Sequence, residues 1–272
     1  MSVKQLIASH QEKVWGFEEW QFSTHPNGMT KVAATGTDLR TELGQSLPIL
    51  IKYIVANETL SVQVHPDDQY AKTHTTDLGK TECWYITEAQ PEAKLIFGLK
   101  PGLTAETLAT IIAEQQIEAY LEFVDVQAGD MLYIPAGTVH AIMGGLKLIE
   151  VQQSSDTTYR LYDWGRDREI HVEESLAVID YQHKNGACKI AAQNFTELVT
   201  PYFTVQKIQV IQTWEYTCVQ AATVTALNHQ ITVFTETHPT LIAPNTTLYV
   251  ELGTTLVINE PGELLLTTWE VE

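Results

Sequence analysis

At 272 residues the chain can form one large domain or two moderate ones, and its 44% apolar content is that of an ordinary globular protein. Asp and Glu number 34 against 16 Lys and Arg, a net charge of -18, and that field repels nucleic acid and anionic membranes, so neither is expected as a partner. No run of about twenty apolar residues is present. The polar opening lacks the apolar centre of a signal peptide, so a cytoplasmic protein is expected. Cys83, Cys188 and Cys218 are odd in number and far apart, and read as reduced thiols rather than a disulfide frame. No interface signature is present, and a monomer is the default. An anionic metabolite can bind only where the scarce Lys and Arg converge.

Strand patterning dominates from the first third onward. Leu60 to His65 alternates, placing Leu60, Val62 and Val64 on one face and Ser61, Gln63 and His65 on the other. A short helix is predicted to begin at Pro66, followed by Asp67 and Asp68, which suit the positive end of its dipole. Cys83 to Thr87 and Leu95 to Phe97 read as strands. A helix capped by Thr104 follows, with Glu106 in its first turn and Leu108, Ile111 and Ile112 at helical spacing. Met131 to Ile134 and Leu146 to Gln153 are further strands, separated by glycine breaks, and Glu173 to Tyr181 reads as helix. From about His183 the sequence turns rich in Thr, Val, Ile and Gln. Tyr202 to Ile211, Thr246 to Glu251, Thr254 to Ile258 and Leu264 to Trp269 are predicted strands, the last two joined by the turn Asn259-Glu260-Pro261-Gly262. Two domains are expected: residues 1–182 with the chemistry, and residues 183–272 as a smaller β-sandwich without a ligand cluster.

Four residues carry the chemical signal. Gln63 and His65 emerge together from one strand, Glu82 opens the next, and His140 opens a third. Either histidine alone is more often a core or surface residue than a ligand. Together, two imidazoles, a carboxylate and an amide oxygen suit Zn²⁺ with a position left open for water or substrate. His25 reads as a turn residue, and His74, His171, His183, His229 and His238 read as surface. Trp84 reads as core packing beside the metal strand.

The run Gly-x5-Pro-x-Gly-x2-His, from Gly129 to His140, resembles the second motif of the cupin superfamily, with Gly144 where an Asn is usual. Gln63-x-His65 followed by Glu82 resembles the first motif as it stands in type I mannose-6-phosphate isomerases. Ser61 to Asp68, Gly79 to Tyr85, Tyr133 to Ala141 and Gln152 to Asp163 are the dense islands of that resemblance, the last being similar to the short bacterial branch. Trp15-Gly16-Phe17 runs directly into Glu18-Glu19-Trp20, a compressed form of the family's opening.

The resemblance implies a mainly β fold: a cupin (jelly-roll) barrel with a small helical insertion, then a β-sandwich. It also implies zinc held by Gln63, His65, Glu82 and His140, a hexose 6-phosphate as substrate, and interconversion of mannose 6-phosphate and fructose 6-phosphate through an enediol. Lys80 and Arg160 match the family's Lys and Arg, and Asp156 its acidic residue. These three are the expected catalytic residues, with Asp156 placed first as the base. Arg166 and Arg168 are expected to pair with Asp163 and Asp167. The rival readings are a non-catalytic metal cupin that binds a sugar phosphate, an Fe²⁺ oxygenase, and an isomerase of another hexose phosphate.

Overall fold

The computed structural model describes residues 2–236 and 238–270. The chain is mainly β and groups into two compact units. One comprises Glu12–Phe17 and Ile54–Gln193, and the other the segment ending at Gln11, Glu18–Tyr53 and the segment from Asn194 onward.

In the first of these units one antiparallel ladder runs Cys188–Ile190, Met131–Ile134, Glu82–Ala89, Leu146–Gln153. A second runs Tyr159–Tyr162, Val62–Val64, His140–Ile142, Lys94–Leu99, Leu121–Asp125. Trp84, Ile86, Leu132, Ile134 and Leu148 of the first ladder share one core with Leu95 and Ile142 of the second. The mainly β, jelly-roll arrangement expected from sequence is therefore present, but as two facing sheets rather than a closed barrel, because each ladder stays separate.

The alternation in Val62–Val64 decides which way the chemistry faces. Val62 and Val64 are fully buried in a separate cluster with Leu108 and Ile111, on the outer side of the second sheet. Gln63 points the opposite way, between the sheets. The helix that supplies Leu108 and Ile111 spans Ala105–Ala113 and carries the expected Thr104 cap, reciprocated by Thr107 in a capping box.

The predicted helix after His65 starts later than expected. It spans Asp68–His74, and Asp67 is its N-cap, its carboxylate accepting from the Tyr70 amide at 2.8 Å. Pro66 lies outside the helix, where its carbonyl accepts from the Lys80 amide at 2.9 Å. Asp67 ends the extended segment because its side chain can satisfy a first-turn amide.

Gly79 closes this corner. A Cβ there would meet the Asp68 amide nitrogen at 2.5 Å and the Asp67 carbonyl carbon at 2.6 Å, both backbone atoms. Gly79→Ala is expected to destabilise the protein by about 1–3 kcal/mol through overpacking, measurable as a lower urea midpoint at unchanged m-value.

The second unit is a β-sandwich. Glu197–Val199, Thr204–Val210, Gly262–Trp269, Ala221–Ala226, Thr247–Val250 and Val3–Ile7 pair in that order. Trp214–Thr217, Thr255–Ile258, Ile231–Phe234 and Pro239–Ile242 form its other sheet. Val224, Leu248, Leu256, Ile258 and Leu266 are among the residues filling the core between them, together with Val3 from the start of the chain.

Candidate metal centre and active site

Three of the predicted ligands converge. The ligand atoms of His65, Glu82 and His140 lie within 4.8 Å of one another, and all three residues are buried. Glu82 Oε1 is 3.2 Å from His140 Nε2, and Glu82 Oε2 is 3.6 Å from His65 Nε2. Those spacings match the edge of a tetrahedron whose bonds to a central ion are about 2 Å long.

The orientation of the imidazoles argues for the same use. His65 Nδ1 lies 2.9 Å from the Thr157 carbonyl and His140 Nδ1 lies 2.8 Å from the Thr138 carbonyl. A carbonyl can only accept, so each Nδ1 carries the proton and each Nε2 turns its lone pair toward Glu82. Burial pushes the His140 pKa down to about 4, so the ring is neutral near pH 7 and free to donate that lone pair.

Gln63 stands directly across the ladder from His140, with its amide nitrogen 3.3 Å from His140 Nε2. Turning the amide over exchanges Nε2 for Oε1 and offers a fourth, neutral oxygen to the same point. Two neutral nitrogens, a carboxylate and an amide oxygen around one centre are the donor set of a divalent zinc-type ion.

Lys80 reaches into this group. It is only 4% exposed, and its ammonium lies 3.0 Å from Glu82 Oε2 and 3.0 Å from His65 Nε2. Arg160 lies directly across the other side of the ladder from Gln63, so its side chain leaves the same face. Its Nη1 donates to the Glu169 carbonyl at 2.6 Å, while its Nε is buried and has no hydrogen-bond acceptor among the described residues. Burial and the neighbouring Arg168 lower its pKa. Asp156 is exposed, its amide donating to Asp77 at 3.0 Å. It precedes Thr157, whose carbonyl orients His65.

Glu150 was not singled out from sequence. It is 3% exposed, accepts from Trp84 Nε1 at 2.8 Å, and sits opposite Trp84 on the ladder, while Gln152 sits opposite Glu82. Trp84 is fully buried as expected, and its ring meets that of His140 edge-on at 5.3 Å. The signal that could have found Glu150 is the alternation within Leu146–Gln153, which puts Glu150 and Gln152 on the face that Glu82 and Trp84 occupy. His171 is half-buried rather than a plain surface residue: it precedes the helix Val172–Val178, and its Nδ1 accepts from the Arg160 amide at 3.3 Å. A cavity of about 200 Å³ lies beside Phe97, Leu103, Thr138 and Tyr181, but none of the four predicted ligands lines it.

Comparison with known proteins gives the family. A family profile for the catalytic domain of type I phosphomannose isomerase matches residues 27–94, a stretch that includes Gln63, His65, Lys80 and Glu82. The mannose-6-phosphate isomerase of Streptococcus mutans is 40% identical over 218 residues, covering 71% of this chain and 69% of that protein. The chain belongs to the type I mannose-6-phosphate isomerase family.

Mannose-6-phosphate isomerase ManA of Bacillus subtilis is 42% identical over 217 residues, 70% of this chain and 69% of that protein. A crystal structure of a mannose 6-phosphate isomerase from Bacillus subtilis superposes with a TM-score of 0.88 at 25% identity, covering 98% of this chain and 99% of that one. A zinc-bound mannose 6-phosphate isomerase, 14% identical and matched over 100% of both chains, shares the fold with a TM-score of 0.76. As a member of the mannose-6-phosphate isomerase family the chain is an isomerase. Among the described residues no helix is long and apolar enough to cross a membrane.

Proposed function

We propose that this chain interconverts mannose 6-phosphate and fructose 6-phosphate at a zinc centre formed by Gln63, His65, Glu82 and His140. The observation that carries this reading is the pair of imidazoles whose Nδ1 atoms are pinned to main-chain carbonyls while their Nε2 atoms meet a fully buried carboxylate. Held by these residues, zinc would supply Lewis acidity for the reaction.

Aldose–ketose isomerisation moves a proton between C1 and C2 through an enediol, and negative charge develops on oxygen as the C–H bond breaks. Lys80 fixes positive potential at the centre, since its ammonium is held at 3.0 Å from Glu82. Arg160 offers a buried Nε–H donor with no acceptor of its own among the described residues, suited to a sugar or phosphate oxygen. We assign the proton transfer to Asp156, the acidic residue of the Gln152 to Asp163 segment that resembles the family. The burial of Glu150 beside Trp84 and near His140 favours a second reading, in which Glu150 is that base. The division of labour proposed is that the chemistry lies within residues 1–182 and that residues 183–272 are structural. A cytoplasmic setting fits the three free cysteines, Cys83, Cys188 and Cys218.

The deciding experiment is conversion of mannose 6-phosphate by purified protein before chelation, after it, and after zinc is returned. Activity lost to the chelator and regained with zinc is expected. Bound zinc without turnover would reject the isomerase reading in favour of a sugar-phosphate binder, and oxygen consumption with iron would support an oxygenase. Asp156→Asn is expected to lower kcat about 10²–10⁴-fold. An unaffected Asp156→Asn beside an inactive, zinc-replete Glu150→Gln would move the base to Glu150.

A further inference from the structure

Three of the chain's four arginines, Arg160, Arg166 and Arg168, fall within nine residues of a strongly acidic protein. In the sequence Arg166 and Arg168 have both Asp163 and Asp167 as candidate partners. The structure places both on Asp163, which is 1% exposed. Arg168 grips it with two bonds, Nε to Oδ2 at 2.7 Å and Nη2 to Oδ1 at 2.6 Å. Arg166 Nε donates to Oδ1 at 3.0 Å.

The same segment reaches across to the strand that carries the ligands. Arg166 Nη2 donates to the Thr59 carbonyl at 2.8 Å, and Trp164 Nε1 to the Leu60 carbonyl at 2.6 Å. These are consecutive carbonyls just ahead of Val62–Val64. The ladder they flank is short: Tyr159 pairs with Val64, Arg160 with Gln63, Tyr162 with Val62, and the register breaks between Arg160 and Tyr162. Three pairs and one irregularity leave few ladder hydrogen bonds to hold the two strands together. Trp164 and Gly165 both take left-handed backbone angles, φ 56° and 77°. A tryptophan holds that conformation only where its surroundings over-determine it.

We propose that Asp163–Arg168 is a positioning clasp, with Asp163 as its pivot, that locks the Arg160 strand against the strand carrying Gln63 and His65. Asp163 collects two guanidiniums that would otherwise repel Arg160, and leaves the Arg160 Nε turned to a ligand. Asp163 and Trp164 lie outside the His65–Glu82–His140 cluster and are positioning residues that act through Arg160. The inference rests on the role given above to Arg160 in the isomerisation of a hexose phosphate.

The test uses zinc-loaded full-length protein carrying Asp163→Asn or Trp164→Phe, each alone and combined with Arg160→Ala. Zinc content, kcat and KM for mannose 6-phosphate are read. Each single variant is expected to keep its zinc and to lose about tenfold to a hundredfold in kcat per bound zinc, the cost of a displacement near one ångström. Neither is expected to add to the loss once Arg160 is alanine. A purely structural role would lower the yield of folded protein and leave kcat per bound zinc unchanged. That result in both variants, or additive losses in the Arg160→Ala background, overturns the clasp. Trp164→Phe, which removes a single donor, decides the matter if Asp163→Asn does not fold.

A wild-type protein that binds zinc without turnover refutes the isomerase reading and leaves the clasp to hydrogen exchange. Faster amide exchange confined to residues 59–64 and 159–162 in Trp164→Phe supports it, and unchanged exchange there overturns it.

Discussion

Glu82→Gln is expected to lose zinc almost completely, to abolish turnover, and to destabilise the metal-free protein as well. Glu82 is fully buried and is the anion that faces two imidazoles and the Lys80 ammonium at 3.0–3.6 Å. Gln has the same shape, so packing is unchanged and only charge is removed. Without the carboxylate the divalent ion has neutral ligands alone, and its affinity falls by orders of magnitude. Lys80 is then left as a buried cation without its anion, which costs on the order of 3–5 kcal/mol. The two effects separate in the double variant Glu82→Gln with Lys80→Met. It should regain much of the stability, read as the urea midpoint, and none of the zinc or the activity. Stoichiometric zinc in purified Glu82→Gln would remove Glu82 from the ligand set.

The second large effect is expected at Arg160. Arg160→Ala should keep its zinc and lose about 10²–10³-fold in kcat/KM, the usual cost of deleting one preorganised donor to developing or fixed negative charge. Arg160→Lys preserves the charge but not the planar fork, so it should recover only part of the loss. Nη1 is committed to the Glu169 carbonyl at 2.6 Å, and the buried Nε remains for a ligand. A lysine can reproduce one of those directions and not both. Steady-state kinetics with mannose 6-phosphate and with the unphosphorylated sugar show which oxygen Arg160 meets. If Arg160 holds the phosphate, its loss should penalise the phosphorylated substrate alone. Wild-type kcat/KM in Arg160→Lys would show that charge suffices and the fork does not matter.

Much of this centre is legible in the amino-acid sequence because its information is local. Gln63 sits on, and His65 just past the end of, a strand whose alternating valines fix which way Gln63 faces. The strand bounds Met131–Ile134 and Leu146–Gln153 coincide with those read from sequence. Thr104 caps its helix because a hydroxyl there meets an orphan amide, a rule that needs no tertiary partner. What escaped was set by distant pairing. Val3–Ile7 lies against Thr247–Val250 across almost the whole chain, and nothing within the five residues Val-Lys-Gln-Leu-Ile names that partner. Glu150 looks like any solvated strand glutamate until the ladder puts it opposite Trp84. Arg166 and Arg168 have two acidic neighbours in sequence, and only the fold decides that buried Asp163 takes both. Pro66 has the composition of a first turn, yet the carboxylate one residue later captures the cap.

The groups that orient both imidazoles are main-chain carbonyls, those of Thr138 and Thr157. Every residue type brings the same carbonyl, so point substitution at either position cannot delete the anchor itself. Gaining or losing one residue in either loop would rotate the carbonyl away and dismantle the centre. The site is therefore expected to tolerate substitution at 138 and 157 better than an insertion or deletion beside them.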